Sequence, residues 1–236
     1  MGGVVAVGVD ELLAAWERGT GASATGRALH LAGVVRPGAT YDDLAGLTLG
    51  ERDLALLELR TSVFGDHVDA FGQCPACGAD LDVAFDVPAL LAGLADGPTE
   101  GGDGRGLPVR PPTSADVMAV LAETTDEDAA QRLLLRCLAG VPGDEPTPVD
   151  LDRSGEEVVR ADPASRLELL LVCEACDHQW SDVLDVAGFV WTEVAAWARR
   201  TLGEVHLLAR AYGWREADVL ALSPLRRATY LQLVDP

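Results

Sequence analysis

Two pairs of cysteines are the residues of this sequence best suited to chemistry. Cys74 and Cys77 form one Cys-x-x-Cys pair, and Cys173 and Cys176 form another. Two thiolates separated by two residues can bind one ion from the same tight turn, and two such pairs supply the four ligands of a structural zinc site. We therefore predict that these four cysteines bind one structural zinc ion.

The residues that follow each pair indicate that the two pairs belong to one unit. Segments 74–87 (CPACGADLDVAFDV) and 173–186 (CEACDHQWSDVLDV) align without a gap, each with a short turn, a strand and then Asp-Val. Two such β-hairpins that hold one ion form a zinc ribbon. The 95 residues between the pairs exceed the roughly 15–20 of the common motif. We explain this excess by a helical subdomain, about 107–166, inserted between the halves of the ribbon.

Three other roles for the cysteine pairs are open. A redox pair normally lies at a strand-to-helix junction, whereas these pairs lead into strands. Disulfide bonds suit secreted proteins, and the N-terminal sequence lacks the positive charge that begins a secretion signal. An iron–sulfur cluster also uses four cysteines. His178 lies two residues after the second pair and could compete as a ligand, but four thiolates make it unnecessary. Cys137 is predicted to be a buried packing residue.

The hydrophobic pattern predicts an α+β protein, mostly α, with helical subdomains around a small split ribbon. A capping box, Thr48-Leu-Gly-Glu51, predicts a helix that ends at Gly65. Its apolar residues form two stripes, which predict burial on two sides: Leu54, Leu57 and Phe64, and Leu56, Leu59 and Val63. Alternation of apolar and polar residues predicts strands over 81–87, 167–173 and 180–186.

The rest of the chain is predicted to be helices and loops. Further helices are expected over 10–18, 25–31, 114–122, 126–139 and 188–200, then from a second capping box at Thr201 to Tyr212, and from Pro224. Polar loops are expected over 92–106 and 141–149, and a short strand over 107–110. The regions are 1–70 (helical), 71–90 (first half of the ribbon), 91–166 (loop and inserted subdomain), 167–187 (second half) and 188–236 (helical).

The charge and hydropathy of the chain argue against two classes of partner. The formal net charge is −20, with 38 acidic against 18 basic residues, and such a chain repels the phosphates of nucleic acids. No apolar run reaches the roughly 20 residues that span a bilayer. We therefore predict no nucleic-acid partner, no membrane span and a cytoplasmic location.

The sequence contains no convincing catalytic constellation. The four histidines are scattered, there is no GxSxG segment, and the glycine-rich run at 101–106 lacks the flanking pattern of a phosphate-binding loop. A zinc ion with four thiolate ligands also has no free position for a substrate. We expect that the protein is not an enzyme.

Three stretches together resemble a known family. They are LTLGERDLALLELR (47–60), which continues through VFGD (63–66) into the first cysteine pair, the second pair with CEACDHQW (173–180), and the tail EVHLLARAYGW (204–214) with DVLAL (218–222) and RRATY (226–230). The chain resembles the zinc-knuckle baseplate assembly proteins of contractile phage tails and extracellular contractile injection systems. These are related to the baseplate hub assembly chaperone of T-even phages.

The resemblance implies a non-enzymatic assembly factor or a minor baseplate component. Its partners would be hub, spike or wedge proteins, and it would stay in the cytoplasm or join the assembled particle. The aromatic residues of the tail are then either core residues or a partner-binding surface: Trp191, Trp197, Tyr212 and Trp214. A different class of function, a zinc-ribbon module of transcription or nucleic-acid machinery, is the alternative that the negative charge disfavours.

Overall fold

A computed structural model describes residues 7–95, 109–123, 129–138 and 148–234, and it confirms the predicted mostly helical α+β class. The helices are α1 (Val9–Gly19), α2 (Ala24–Ala32), α3 (Tyr41–Ala45), α4 (Leu49–Phe64), α5 (Val87–Ala95), α6 (Ser114–Glu123), α7 (Ala129–Cys137), α8 (Pro148–Ala161), α9 (Val186–Tyr212), α10 (Glu216–Leu220) and α11 (Pro224–Val234). Strands β1 (His67–Gln73) and β2 (Asp80–Asp86) form one antiparallel hairpin, and β3 (Glu168–Val172) and β4 (Gln179–Val183) form another.

The main hydrophobic core joins the N-terminal helices to the first half of α9. Helices α1, α2 and α4 all contact α9, and burial of a leucine or valine side chain there stabilises the fold by roughly 1.5–3 kcal/mol. The largest buried side chains of this core include Leu12, Leu29, Leu31, Leu56, Leu57, Leu59, Val190 and Val194. The two-sided burial predicted for α4 is confirmed, although Leu54 remains 37% exposed.

The start of α4 has the predicted capping box. Thr48 Oγ1 accepts a hydrogen bond from the amide of Glu51 at 3.1 Å, and Glu51 Oε2 accepts one from the amide of Thr48 at 2.9 Å. The buried carboxylate of Asp162 accepts from the amide of Gly50 at 2.8 Å. The first turn of α4 is therefore bonded both locally and to a segment far away in the sequence.

The second predicted capping box, at Thr201, is wrong. Helix α9 continues from Val186 to Tyr212, and Thr201 lies in its interior with 2% of its surface exposed. The buried residues on either side repeat every three or four positions without a break: Val194, Ala198, Thr201, Val205 and Leu208. Burial of this continuous face outweighs the local preference of threonine for a cap.

Several predicted boundaries also change. Strand β1 begins at His67, inside the region expected to be helical, because Val68 is buried in the core at the base of the hairpin. Val87 and Val186, predicted as strand residues, begin helices α5 and α9. The caps of α2 and α6 are Ser23 and Thr113 rather than Thr25 and Ser114, because the Ser23 and Thr113 side chains accept the bonds from the first-turn amides.

The segment between the two hairpins is mostly helical where it is described. Residues 92–95 of the loop expected at 92–106 belong to α5. The rest of that loop, the expected start of α7 and residues 139–147 lie outside the described residues. Within the short strand expected at 107–110, Val109 forms an isolated bridge with Leu138. Helix α8 was not predicted. The start of α6 is joined to α4 by a hydrogen bond from the Leu49 amide to Pro112 O. The domain boundaries themselves remain predictions.

Within the described part of the chain, none of the helices is both long enough and apolar enough to cross a bilayer. The longest of them, α9, instead carries polar residues on its outer face.

Asp53 in α4 gives the fold a testable pH dependence. Burial raises the pKa of this carboxyl to about 6, despite the guanidinium of Arg52 at 2.7 Å, and the carboxylates of Asp185 and Asp162 add to the rise. A carboxyl with a raised pKa stabilises the fold fully below its unfolded pKa of about 3.9, and this stability is lost as pH rises through about 6. The cost of ionisation at pH 7 is on the order of 3 kcal/mol.

We expect Asp53→Asn to be more stable than wild type at pH 7.5, by roughly 1–3 kcal/mol. The difference should shrink steadily toward pH 4, because protonated aspartate and asparagine are alike in charge. Urea unfolding of both proteins at several pH values measures this difference. The ion pair with Arg52 forms only when Asp53 is ionised, so its effect is already contained in the pKa of about 6. A difference that does not depend on pH would contradict the prediction.

Candidate metal centre

Each cysteine pair lies in the tight turn of its hairpin, and the two turns have the same hydrogen bonds. In the first turn, the Cys74 amide donates to Ala79 O at 2.9 Å and the Gly78 amide donates to Cys74 O at 2.8 Å. The second turn repeats both bonds, with Cys173 donating to His178 O at 2.9 Å and Asp177 donating to Cys173 O at 2.8 Å. The repeat that the sequence alignment predicted is therefore a repeat of backbone structure.

The residue after the second cysteine has the same left-handed conformation in both turns. Gly78 has φ 71°, and Asp177 has φ 55°, the only positive φ of a non-glycine residue in the described part of the chain. Aspartate tolerates this conformation better than most residues because its short polar side chain can bond locally. The sequence itself indicates a sharp turn at Gly78 and Asp177, because each follows the second cysteine of its pair, and the left-handed conformation of both residues agrees with this.

The two hairpins bring the four sulfurs together. Cys74 Sγ lies 3.7 Å from Cys176 Sγ, Cys77 Sγ lies 3.7 Å from Cys173 Sγ, and all four lie within 4.8 Å of one another. A tetrahedral ion with ligands at about 2.3 Å separates its sulfurs by about 3.8 Å, whereas a disulfide separates them by about 2.05 Å. The cysteines are free thiols at distances that suit a single metal ion.

The cluster is half shielded from solvent. The first cysteine of each pair is buried, with Cys74 2% and Cys173 0% exposed, whereas Cys77 and Cys176 are exposed. An ion bound here would have two ligands fixed by the protein interior and two at the surface. Chelators and competing metals would therefore have direct access to the site.

The pKa values of two thiols diverge in this cluster. Burial opposes ionisation of Cys74, but hydrogen bonds from the amides of Cys77 and Ala76 lower its pKa to about 7. The amide of His178 favours the Cys176 thiolate, but the adjacent thiols, that of Cys77 foremost, raise its pKa to about 12. Four thiolates so close together repel one another, and a cation at their centre would remove this repulsion.

Two other candidate ligands lie outside the cluster. The ring of His178 stacks on Trp180 with centroids 5.6 Å apart, and the carbonyl of His178 is bonded within the turn. Cys137, in α7, is 1% exposed, as predicted for a packing residue, and burial raises the pKa of its thiol. The group of possible ligands that the described residues bring together is the set of four predicted cysteines.

The four aromatic residues singled out in the C-terminal region lie in two separate clusters. Trp191 and Trp197 are partly buried against the main core, and the guanidinium of Arg27 lies 5.1 Å from the Trp191 ring. Tyr212 and Trp214 stack on each other at 4.7 Å and contact Tyr230. This second cluster covers a smaller core between the end of α9, α10 and α11: Val205, Leu208 and Val219.

The left-handed conformation of Asp177 leads to a prediction. We expect Asp177→Val to destabilise the second turn by about 1–2 kcal/mol and to weaken metal binding, because a β-branched residue strongly disfavours positive φ. Asp177→Gly should retain wild-type metal binding. Competition with a chromogenic chelator compares the affinities of both variants, and equal affinity of the valine variant and wild type would show that the turn is not strained.

The arrangement can hold one ion, and four thiolate ligands would leave a tetrahedral ion no free position for a substrate. The sequence and the geometry of the two hairpins therefore identify the same four cysteines as candidate ligands. The four aromatic residues are not part of this candidate metal centre.

No protein-family model, no curated protein and no solved structure matches the chain.

Proposed function

We propose that this chain is a non-enzymatic assembly factor or minor baseplate component of a phage-tail-like contractile injection system, stabilised by one structural zinc ion. The observation that carries the structural part of the proposal is the meeting of four cysteine sulfurs within 4.8 Å. The resemblance of segments 47–60, 173–180 and 204–230 to baseplate assembly proteins supports the biological part.

Zinc is the metal that best fits the ligand set. Thiolates favour zinc and other soft metals over magnesium or calcium, and a set of four cysteines is common in structural zinc sites. An iron–sulfur cluster contains several irons bridged by sulfides, so its cysteine sulfurs would lie farther apart than around a single ion. The 3.7 Å separations between sulfurs of opposite hairpins therefore favour one ion.

The position of the two hairpins supports a structural role for the ion. Both hairpins begin and end in the main hydrophobic core, through Val68 and Val87 for the first and Leu167 and Val186 for the second. Their other ends meet at the cysteines. An ion there would close a loop between the end of α4 and the start of α9, and would fix these two helices relative to each other.

The outward face of the first hairpin favours a protein partner over nucleic acid. Three of its exposed residues on β2 are aspartates, Asp80, Asp82 and Asp86, and Asp69 on β1 lies on the same face. Such a face repels phosphate groups. Nucleic-acid binding relies on clustered basic side chains, so a role in assembly through protein contacts is the better proposal.

Metal analysis tests the structural part of the proposal. Protein purified without added metal should contain one zinc and no acid-labile sulfide per chain, and thiol titration under native conditions should detect no more than Cys137. A chelator should release the zinc and expose four further thiols. Stoichiometric iron with sulfide, or four reactive thiols in metal-free and folded protein, would overturn it.

Co-purification tests the biological part. The chain should be captured with hub, spike or wedge proteins from cells that produce injection particles, and its amount should be compared between immature and finished particles. Presence only in immature particles would identify an assembly factor, and stoichiometric presence in finished particles would identify a baseplate component. Absence from both would overturn the assignment.

A further inference from the structure

The two hairpins leave a cleft beside the cysteine cluster. It has a volume of about 450 Å³, and it is lined by the start of β2, the end of β3 and the turns next to them. The first hairpin contributes Ala79, Asp80, Leu81 and Asp82, and the second contributes Val172, Cys173, Glu174 and Ala175. The start of β2 and the end of β3 therefore line one groove, although they belong to separate sheets.

The register of each hairpin shows which backbone groups face the cleft. In an antiparallel pair, alternate residues bond to the partner strand and the others direct their N–H and C=O groups to the opposite side. The Cys74 amide bonds to Ala79 O, so Ala79 is one of the residues that bond to the partner strand. The register of the hairpin then places Asp80 and Asp82 among the alternate residues, whose backbone groups face away from β1. They have no strand partner in the described part of the chain.

The same argument applies to the second hairpin. The Cys173 amide bonds to His178 O and the Leu184 amide bonds to Leu167 O, so with its register the backbone groups of Leu170 and Val172 face away from β4. An extended segment in the cleft could thus bond to β2 on one side and to β3 on the other. Addition of a strand to an exposed edge is a common mode of peptide recognition.

The side chains around the cleft select the charge of the occupant. Asp80, Asp82 and Glu174 surround it, and Val172 beside them is 50% exposed. Arginine or lysine side chains in alternation with apolar ones would satisfy both features. A second copy of this chain is a poor occupant, because it would bring the same carboxylates and a share of the −20 net charge against them.

We propose that this cleft binds an extended, positively charged segment of a partner protein, which pairs with the free edges of β2 and β3 and joins the two hairpins into one sheet. The inference rests on the proposed function, since it names the surface through which an assembly protein would hold its partner. Its test needs no baseplate component, so its outcome is independent of the co-purification experiment.

The test uses the zinc-loaded full chain and a fluorescent peptide of four Arg-Val repeats, with binding measured by anisotropy at low salt. Wild-type protein should bind this peptide, and a peptide of four Glu-Val repeats should bind at least about tenfold more weakly. An Arg-Val peptide with N-methylated valines keeps its charge but loses alternate amide donors, and it should also bind at least about tenfold more weakly. No binding of the unmodified peptide, or equal binding of the N-methylated one, would overturn the proposal.

Two substitutions at one position separate charge from backbone pairing. Asp82→Ala removes a carboxylate and retains the edge amide, so we expect a two- to threefold loss of affinity, on the order of an exposed ion pair. Asp82→Pro also removes the edge amide, yet spares the bonds to β1, because proline is tolerated where the amide faces outward. The proline variant should bind about tenfold more weakly than the alanine variant while it retains one zinc. Equal affinity of the two zinc-loaded variants would count against edge pairing.

Discussion

Cys173→Ala is expected to abolish metal binding and to unfold both hairpins. Cys173 is fully buried, and its sulfur lies 3.7 Å from that of Cys77 on the opposite hairpin. Binding of a structural zinc ion contributes about 10–16 kcal/mol in small zinc-dependent peptides, whereas the net stability of a whole domain is about 5–15 kcal/mol. Each hairpin has only two strands, which are marginally stable without further packing. Loss of one ligand should therefore affect the entire ribbon and the ends of α4 and α9 attached to it.

The chain provides a matched control for this substitution. Cys137 is also a buried cysteine, 1% exposed, but it lies in α7 outside the cluster. Cys137→Ala should keep one metal ion per chain and should lose only about 1 kcal/mol, the cost of a small cavity. Metal content and thermal unfolding by circular dichroism measure both variants. If Cys173→Ala retained the metal and melted with wild type, the four-thiolate site would be wrong.

Removal of the metal from wild-type protein provides an independent comparison. A chelator should produce the same loss of hairpin structure as Cys173→Ala, because both leave closely spaced thiols without a central cation. Readdition of zinc should restore wild-type protein but not the alanine variant. A general destabilisation caused by the substitution alone would not follow this pattern.

The cysteine site could be predicted from the sequence because its signal is local and occurs twice. Each turn requires two cysteines with two residues between them and a residue that tolerates positive φ, and both segments contain this pattern. The distance along the chain does not weaken the prediction, since closure of a long loop costs only slightly more entropy than closure of a short one. The structure places the sulfurs as this repeat predicted.

Strand β1 and the continuity of α9 could not be predicted in the same way. The inward residues of β1 are Val68, Ala70 and Gly72, whereas its large apolar residue, Phe71, points outward with 87% of its surface exposed. The apolar pattern of a half-buried strand is therefore weak. In α9 the local signal at Thr201 was a capping box. The helix continues because its buried face packs against other parts of the chain, which include α10 and α11, and Arg227 of α11 pairs with Glu204. The cleft depends on the register of both hairpins and has no signature in the sequence.

A buried ion pair between α4 and α9 should be the most sensitive charged contact in the described core. Arg60 is 3% exposed; its Nε and Nη2 donate to Glu193 at 3.1 and 3.3 Å, and its Nη1 donates to Gly65 O at 2.6 Å. Glu193→Ala leaves the guanidinium buried without its counter-charge. Such a change typically costs about 3–5 kcal/mol, because the desolvated charge loses the partner that offset its burial.

An exposed pair on the same helix is the control for this prediction. Glu58 bonds to Arg36 at 2.6 Å, a shorter distance than in the buried pair, but both side chains are 39% exposed. Glu58→Ala should therefore cost less than about 1 kcal/mol. Urea unfolding compares the free energies of unfolding of the two variants. We expect the burial of the pair, rather than its distance, to decide which variant loses more stability. The double variant Arg60→Met/Glu193→Leu should recover most of the loss, because it removes both charges at once. A double variant as unstable as Glu193→Ala would show that the arginine acts through its bond to Gly65 and its packing rather than through the ion pair.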